Sequence, residues 1–412
     1  MEANDGGRGM QGVVFALVAG TFMTVYIPQP VLPILTREFG VTPGVASLTV
    51  SATVFGIALA NLPFGVLADR FSIRPLVLGG GAVVALASIA CALTHRMGLL
   101  IAARFLQGLF IPSMSTCLAA YLSRTLPPQR LTVVMGWYVS ATVTGGLGGR
   151  LLGGFVFPPE HWRYAFVAAA ALVLAAGIAA LRLLPRDPPH ARSPAEVEGF
   201  LALLRRPELL RMFAVGFFAF AVFSAMFNYV PFYLSGGPLH ASVRVITLLY
   251  LGYVVGIAAG PISGTLAARF GTGLTIVLGC AVFGAAIALT LVPSLAVIAA
   301  SLAGICGGFF AMHAGAVGAM NRRLTGSRGR ANSLYVLLYY LGGAAGISVA
   351  GAAFSRWGWA GAAAFGGAAL TVPLSIGIVE AVHDRERRRS PGPPQCGEPF
   401  GAAKLHMPTR AP

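Results

Sequence analysis

The chain is 412 residues long, 56% hydrophobic and only 10% charged, against about 25% charged residues in an ordinary soluble domain. That composition excludes a water-soluble fold, whose surface it could not cover with polar groups. Its 29 Lys plus Arg against 13 Asp plus Glu give a formal net charge of +16; because these arginines fall in short breaks between apolar runs, the excess reads as contact with an anionic membrane leaflet and not with nucleic acid.

In chain order, cuts at charged or Pro/Gly-rich breaks leave twelve segments near the roughly 20 residues a helix needs to cross hydrocarbon. The first six are placed at 12–35, 44–67, 75–94, 98–122, 131–157 and 163–184, and the second six at 209–234, 243–267, 272–292, 295–320, 331–354 and 359–380. The first run has no basic lead-in beyond Arg8 and no small-residue cleavage pattern, so it is expected to stay as the first span and not as a leader. Arg70, Arg74, Arg124, Arg130, Arg205, Arg206, Arg269, Arg322, Arg323, Arg328 and Arg330 fall on one set of loops, and Arg37, Arg96, Arg163, Arg244 and Arg356 on the other. This asymmetry predicts a multi-pass membrane protein with both termini in the cytoplasm. The mixed-charge, Pro-rich stretch between segments six and seven reads as a linker. The expected division is thus 1–184, a linker 185–208, 209–381, and a basic, Pro- and Gly-rich tail 382–412 expected to be disordered. Cys91, Cys117, Cys280 and Cys306 lie in apolar runs and Cys396 in the tail, so no disulfide framework or metal site is expected.

Between segments two and three runs Gly65-Val66-Leu67-Ala68-Asp69-Arg70-Phe71-Ser72-Ile73-Arg74-Pro75, a charged hairpin loop entered by Gly and closed by Pro. It resembles the Gly-x-Leu-Ala-Asp-Arg-x-Gly-Arg pattern of the major facilitator superfamily of transporters, with Ser72 in place of Gly and Pro75 in place of a second basic residue. After segment eight the loop returns as Gly264-Thr265-Leu266-Ala267-Ala268-Arg269-Phe270-Gly271, and 138–154 echoes 335–351, so the two halves repeat in parallel. The resemblance covers nearly the whole chain. It implies an all-α membrane protein of twelve transmembrane helices in two six-helix bundles that rock about a site near the midplane. It also implies a likeness to bacterial inner-membrane multidrug and metabolite exporters, hence a place in the bacterial inner membrane, proton-coupled efflux of a small organic molecule, a monomer, no cofactor and no enzymatic activity. Uptake of a small organic anion by symport, and a non-transporting membrane receptor or scaffold on the same fold, are the alternatives.

The resemblance assigns gating to Gly65, Asp69, Arg70, Arg74 and Arg330, with Asp69 docking at the start of helix eleven near Arg328 and Arg330. Glycines at four-residue spacing put one smooth face on a helix. Gly145, Gly149 and Gly153, then Gly252, Gly256 and Gly260, then Gly342 and Gly346, are expected to pack one bundle against the other. Arg104-Phe105-Leu106-Gln107-Gly108 resembles the family's Arg-x-x-Gln-Gly motif, and Gly149-Arg150-Leu151-Leu152-Gly153-Gly154 is similar to the Gly-Pro-x-x-Gly-Gly motif of its drug and proton antiporters, with Arg150 replacing Pro. Two arginines at similar depth without a carboxylate form an anion-attracting spot. The expected substrate pathway is Arg104, Gln107, Arg150, Tyr26, Gln29, Asn228 and Tyr250, with His313 and Glu38 as candidate proton carriers. No metal cluster, nucleophile and base pair, or phosphate-cradling loop is present in the sequence.

Overall fold

The computed structural model describes residues 2–126, 128–157, 159–183, 198–324 and 327–389, and these are helical with no strand among them. Helix α1 (Glu2–Tyr26) stops where Pro28 and Pro30 remove two N–H donors, so that the Thr24 carbonyl has no helical partner at Pro28. A 3-10 turn (Gln29–Val31) then leads into α2 (Leu32–Phe39), which completes the first span. Helix α3 (Pro43–Arg70) starts under a Thr42 cap that accepts from the Val45 N–H. It is followed by α4 (Ile73–Leu93), and the fourth span is α5 (Met97–Met114) continued by α6 (Thr116–Thr125). Helix α7 (Pro128–Leu151) runs into a π turn (Leu152–Val156), and α8 (Arg163–Leu183) closes the first half.

The second half opens with the short α9 (Phe200–Leu204) and α10 (Pro207–Ser235). The eighth span is broken, as α11 (Val243–Leu249), a 3-10 turn (Tyr250–Gly252) and α12 (Tyr253–Phe270). After α13 (Thr272–Leu289) and α14 (Leu295–Arg322), α15 (Arg328–Arg389) carries the last two spans. It is divided at Trp357 and Gly358, where Gly358 takes φ 58°, ψ −146°, a conformation essentially restricted to glycine. The chain turns back there, and the two arms of α15 both lie along α10.

Within the first half, α1 packs on α7 and α8, α3 on α5, and α4 on α5 and α8; within the second, α10 and α13 pack on α15, and α14 packs on α13, α12 and α10. The halves meet chiefly along α3 and α15, with further contact of α7 on α12 and of α10 on α2. The glycine faces do not serve that boundary, contrary to expectation. A Cβ at Gly145, Gly149 or Gly153 would fall 2.0–2.2 Å from the carbonyls of Ala19 and Met23 on α1 and of Ile27 just past it, within the same bundle. Gly342 and Gly346 likewise abut Phe217 and Ala221 on α10, and Gly252 and Gly256 abut Ala303 and the Phe310 ring on α14. The packing around Gly260 lies outside the described residues. In lipid, close backbone approach inside each bundle replaces the absent hydrophobic drive.

Three boundaries also differ from those expected. Asp69 sits in the last turn of α3 and not in a loop, since the helix persists through Arg70. The last helix continues to Arg389, well past 380, and Asp384 accepts from the Gly273 N–H at the start of α13 (3.0 Å). The end of the linker is structured: Glu198 N–H donates to Ser327 Oγ (2.8 Å), Arg330 donates to the Glu198 carbonyl (3.0 Å), and α9 follows. Residues 184–197 of the linker and 390–412 of the tail lie outside the described residues.

Candidate substrate-binding site

Three spans lose their regular helix at one level: the first at Gln29–Val31, the fifth at Leu152–Val156 and the eighth at Tyr250–Gly252. These irregular turns contact one another or the helices that flank them. Backbone that leaves the helix inside a membrane is tolerated where protein or an aqueous cavity surrounds it, and π and 3-10 turns in helices concentrate at functional sites. At their junction is Arg150, fully buried. Its Nε donates to Gln29 Oε1 (2.8 Å), Nη1 to the Gly146 carbonyl (2.8 Å) and Nη2 to the Tyr253 hydroxyl (2.7 Å). Three tyrosine rings surround the guanidinium carbon, Tyr26 at 4.0 Å, Tyr253 at 4.2 Å and Tyr250 at 5.1 Å, each presenting its negative face to the cation.

Gln29, Gly146 and Tyr26 belong to the first bundle, and Tyr250 and Tyr253 to the second. One cation thus ties both halves at their boundary. Tyr250 is fixed by its hydroxyl, which donates to the Phe227 carbonyl (2.9 Å). Beyond the tyrosines the second bundle presents a belt of packed rings: Phe227 edge-on to Tyr253 (4.7 Å), Phe223 stacked on Phe309 (4.0 Å), and Phe220 stacked on Tyr339 (3.8 Å, 10° between planes). His313 lies farther along this belt, beside Tyr339 and bonded through Nδ1 to the Tyr335 hydroxyl (2.9 Å).

Arg104 is equally buried but differently held. It donates to the Thr49 carbonyl (2.8 Å), the Thr24 carbonyl (2.7 Å), Gln107 Oε1 (2.5 Å) and the Val25 carbonyl. Pro28 leaves the Thr24 carbonyl open, and Arg104 fills it. Gln107 in turn donates to Ser88 Oγ (2.6 Å). This cluster stays inside the first bundle and locks α1, α3, α4 and α5 together. Among the described residues neither arginine has a carboxylate partner.

Of the expected pathway residues, the structure therefore gathers Arg150, Tyr26, Gln29 and Tyr250 at one site and Arg104 with Gln107 at another. Asn228 is buried on α10 next to Phe227, and neither atom of its amide is hydrogen-bonded. Glu38 does not reach either arginine; it accepts from Trp162 Nε1 (2.8 Å) and pairs with Arg163 (2.5 Å) at the arginine-poor end.

At the arginine-rich end Asp69 pairs with Arg124 (3.8 Å), whose Nη2 also donates to the Ala68 carbonyl (2.7 Å), and not with Arg330. Arg74 donates to the Leu181 carbonyl (2.9 Å), inside its own bundle; Arg70 is exposed, and a Cβ at Gly65 would meet nothing. The bond that does cross there is from Asn61, whose Nδ2 donates to the Ser333 carbonyl (3.2 Å) while its Oδ1 accepts from Thr116 (2.6 Å). At the other end a Cβ at Gly154 would fall 2.2 Å from Thr247 Oγ1 and 2.8 Å from Pro30. Sequence reasoning did not select Tyr253, Asn61 or Gly154 as site residues. The available signals were the pair Tyr250 and Tyr253, which share a face at i, i+3, and a lone amide, Asn61, in an apolar span.

The family model of the Major Facilitator Superfamily matches residues 14–346. The chain is 32% identical over 372 residues to the inner membrane transport protein YnfM of Escherichia coli (strain K12), covering 88% of each. It is 28% identical over 356 residues to the uncharacterized MFS-type transporter YybF of Bacillus subtilis (strain 168), covering 84% of this chain and 87% of that one. A solved bacterial homolog of the human lysosomal transporter Spinster superposes with a TM-score of 0.72 at 14% identity, over 93% of this chain and 98% of that one, and so shares the fold. Two repeated halves, broken spans around a shared buried cation, and these similarities converge: the chain is a multi-pass membrane protein that belongs to the Major Facilitator Superfamily of transporters.

Proposed function

We propose that the chain is a secondary active exporter of small organic molecules, working by alternating access between two bodies, 1–184 and 209–381, joined by 185–208. The observation that carries this reading is the junction of three interrupted spans at Arg150, whose partners come from both bundles. Broken helices at the boundary between repeats are where transporters of this architecture place their solute. Inward proton movement is the proposed energy source, with His313 the candidate carrier because it lies in the aromatic belt continuous with that junction. The arginine-rich face is assigned to the cytoplasm, and the chain to the inner membrane, the membrane for which its E. coli relative YnfM is named. The protein is proposed to act as a monomer. Vesicles with the arginine-rich face outward, loaded by respiration, should accumulate the exported solute, and a protonophore should collapse the gradient. Accumulation in the opposite orientation alone would support uptake of a small organic anion instead, a reading that the cationic site favours. Accumulation indifferent to the protonophore would remove proton coupling.

A further inference from the structure

Arg150 is held in a way that depends on the bundles being together. Two of its acceptors, Gln29 Oε1 and the Gly146 carbonyl, move with it in the first bundle, whereas the Tyr253 hydroxyl and the faces of Tyr250 and Tyr253 belong to the second. If the bundles part, as alternating access requires, Nη2 loses its acceptor and the cation loses two of its three rings. The site can then close again around any group that offers an oxygen acceptor to Nη2 and a flat face to the tyrosines. A carboxylate does this better than a phenol, because it brings a full negative charge to the guanidinium in a water-poor site where the phenol oxygen brings only a dipole.

The second requirement comes from the walls. The rings of Phe227 and Tyr253 meet at 4.7 Å, those of Phe223 and Tyr253 at 5.4 Å, and those of Phe223 and Phe309 at 4.0 Å. A flat ring attached to the carboxylate exchanges ring-on-ring contact for ring-on-ring contact, whereas an aliphatic chain of equal area lacks the quadrupole match. A cation entering the same place meets a fixed positive charge in a site where, among the described residues, no carboxylate pairs with it.

Resting on the transporter reading above, we propose that the solute class of this site is the small aromatic monocarboxylate, its carboxylate bound to Arg150 in place of the Tyr253 hydroxyl and its ring seated among Tyr26, Tyr250 and Phe227.

The test uses the full-length protein in detergent and in proteoliposomes, with cinnamate, cinnamyl alcohol, cinnamylammonium and hexanoate as probes. Cinnamate should raise the thermal transition of the unmutated protein and bind at least about tenfold more tightly than each of the other three. In Tyr253→Phe, which deletes the phenolic acceptor but keeps the ring, the shift by cinnamate should be larger than in the unmutated protein. In Arg150→Gln it should vanish, while Arg150→Lys should retain part of it. The alcohol or the ammonium matching cinnamate would overturn the proposal, as would a cinnamate shift that survives Arg150→Gln; the comparison of four probes on the unmutated protein stands even if a variant fails to fold. Failure of the class and failure of the transporter reading separate in cells. Export of some other compound, with cinnamate ignored, overturns the class alone, whereas no change in any compound's distribution on expression overturns both.

Discussion

A guanidinium whose acceptors all belong to its own bundle keeps them through any relative motion of the two halves, and this separates Arg104 from Arg150 although both are fully buried. Arg104 holds three backbone carbonyls and Gln107, all in the first bundle. Arg104→Gln should therefore leave carbonyls unpaired in a dry interior and lower stability by about 2 kcal/mol or more, read as a fall in thermal transition and in yield of folded protein. Arg150→Gln should cost less stability but abolish solute-dependent stabilisation; equal destabilisation by both would erase the distinction. Part of this was legible in the sequence. Both arginines stand out in apolar runs, and the want of a mid-span carboxylate is plain. Which one faces the partner bundle was not legible, because it depends on Pro28 opening the Thr24 carbonyl to Arg104 and on a break at Tyr250–Gly252 bringing two tyrosines to Arg150.

At the scale of elements, the halves pack broadly along α3 and α15, but the polar bonds across that boundary are few among the described residues. Asn61 is the pivot at the arginine-rich end, since its amide joins α6 through Thr116 to the first turns of α15 through the Ser333 carbonyl. Asn61→Ala removes both bonds, but only the one to Ser333 crosses the join; at about 1 kcal/mol its loss should shift that end toward opening by roughly fivefold. A cysteine placed at Ala331, which is fully buried, should then react faster with a water-soluble maleimide, and an unchanged rate would show that Asn61 does not hold the seam. At the opposite end the backbone of Gly154 lies against Thr247 and Pro30 with no room for a Cβ. Gly154→Val should reduce transport at least tenfold by keeping that end from closing, whereas Gly44→Ala, where the new Cβ meets only Thr42 Oγ1 at 3.9 Å, should leave it near normal. The glycine stripes of α7, α12 and α15 announced close approach but not its partner. A missing Cβ says that something comes near, and the same pattern fits a helix of either bundle.

For the molecule as a whole, rocking requires each half to be stiffer than the join. Each half has a buried ionic anchor of its own. In the first it is Arg104; in the second, Glu380, 1% exposed, pairs with Arg211 of α10 (2.7 Å) and with Arg323 just past α14, clamping three helices at one end. The join between halves runs along α3 and α15; the Asn61 to Ser333 bond crosses it at the arginine-rich end, and at the other end it leaves a cleft of about 260 Å³ lined by Gly44, Tyr229 and Ala352. Alternating access as proposed requires the join to part at one end at a time. With the native cysteines replaced, a short thiol cross-linker joining Asn61→Cys to Ser333→Cys should stop transport while leaving solute binding from the arginine-poor side. Joining Gly44→Cys to Ala352→Cys should stop transport while leaving binding from the arginine-rich side. Cleaving the linker should restore activity in both. Full transport with either end tied would mean that the halves do not rock, and the solute would need a path within one bundle; binding lost equally from both sides would place the site outside the junction at Arg150.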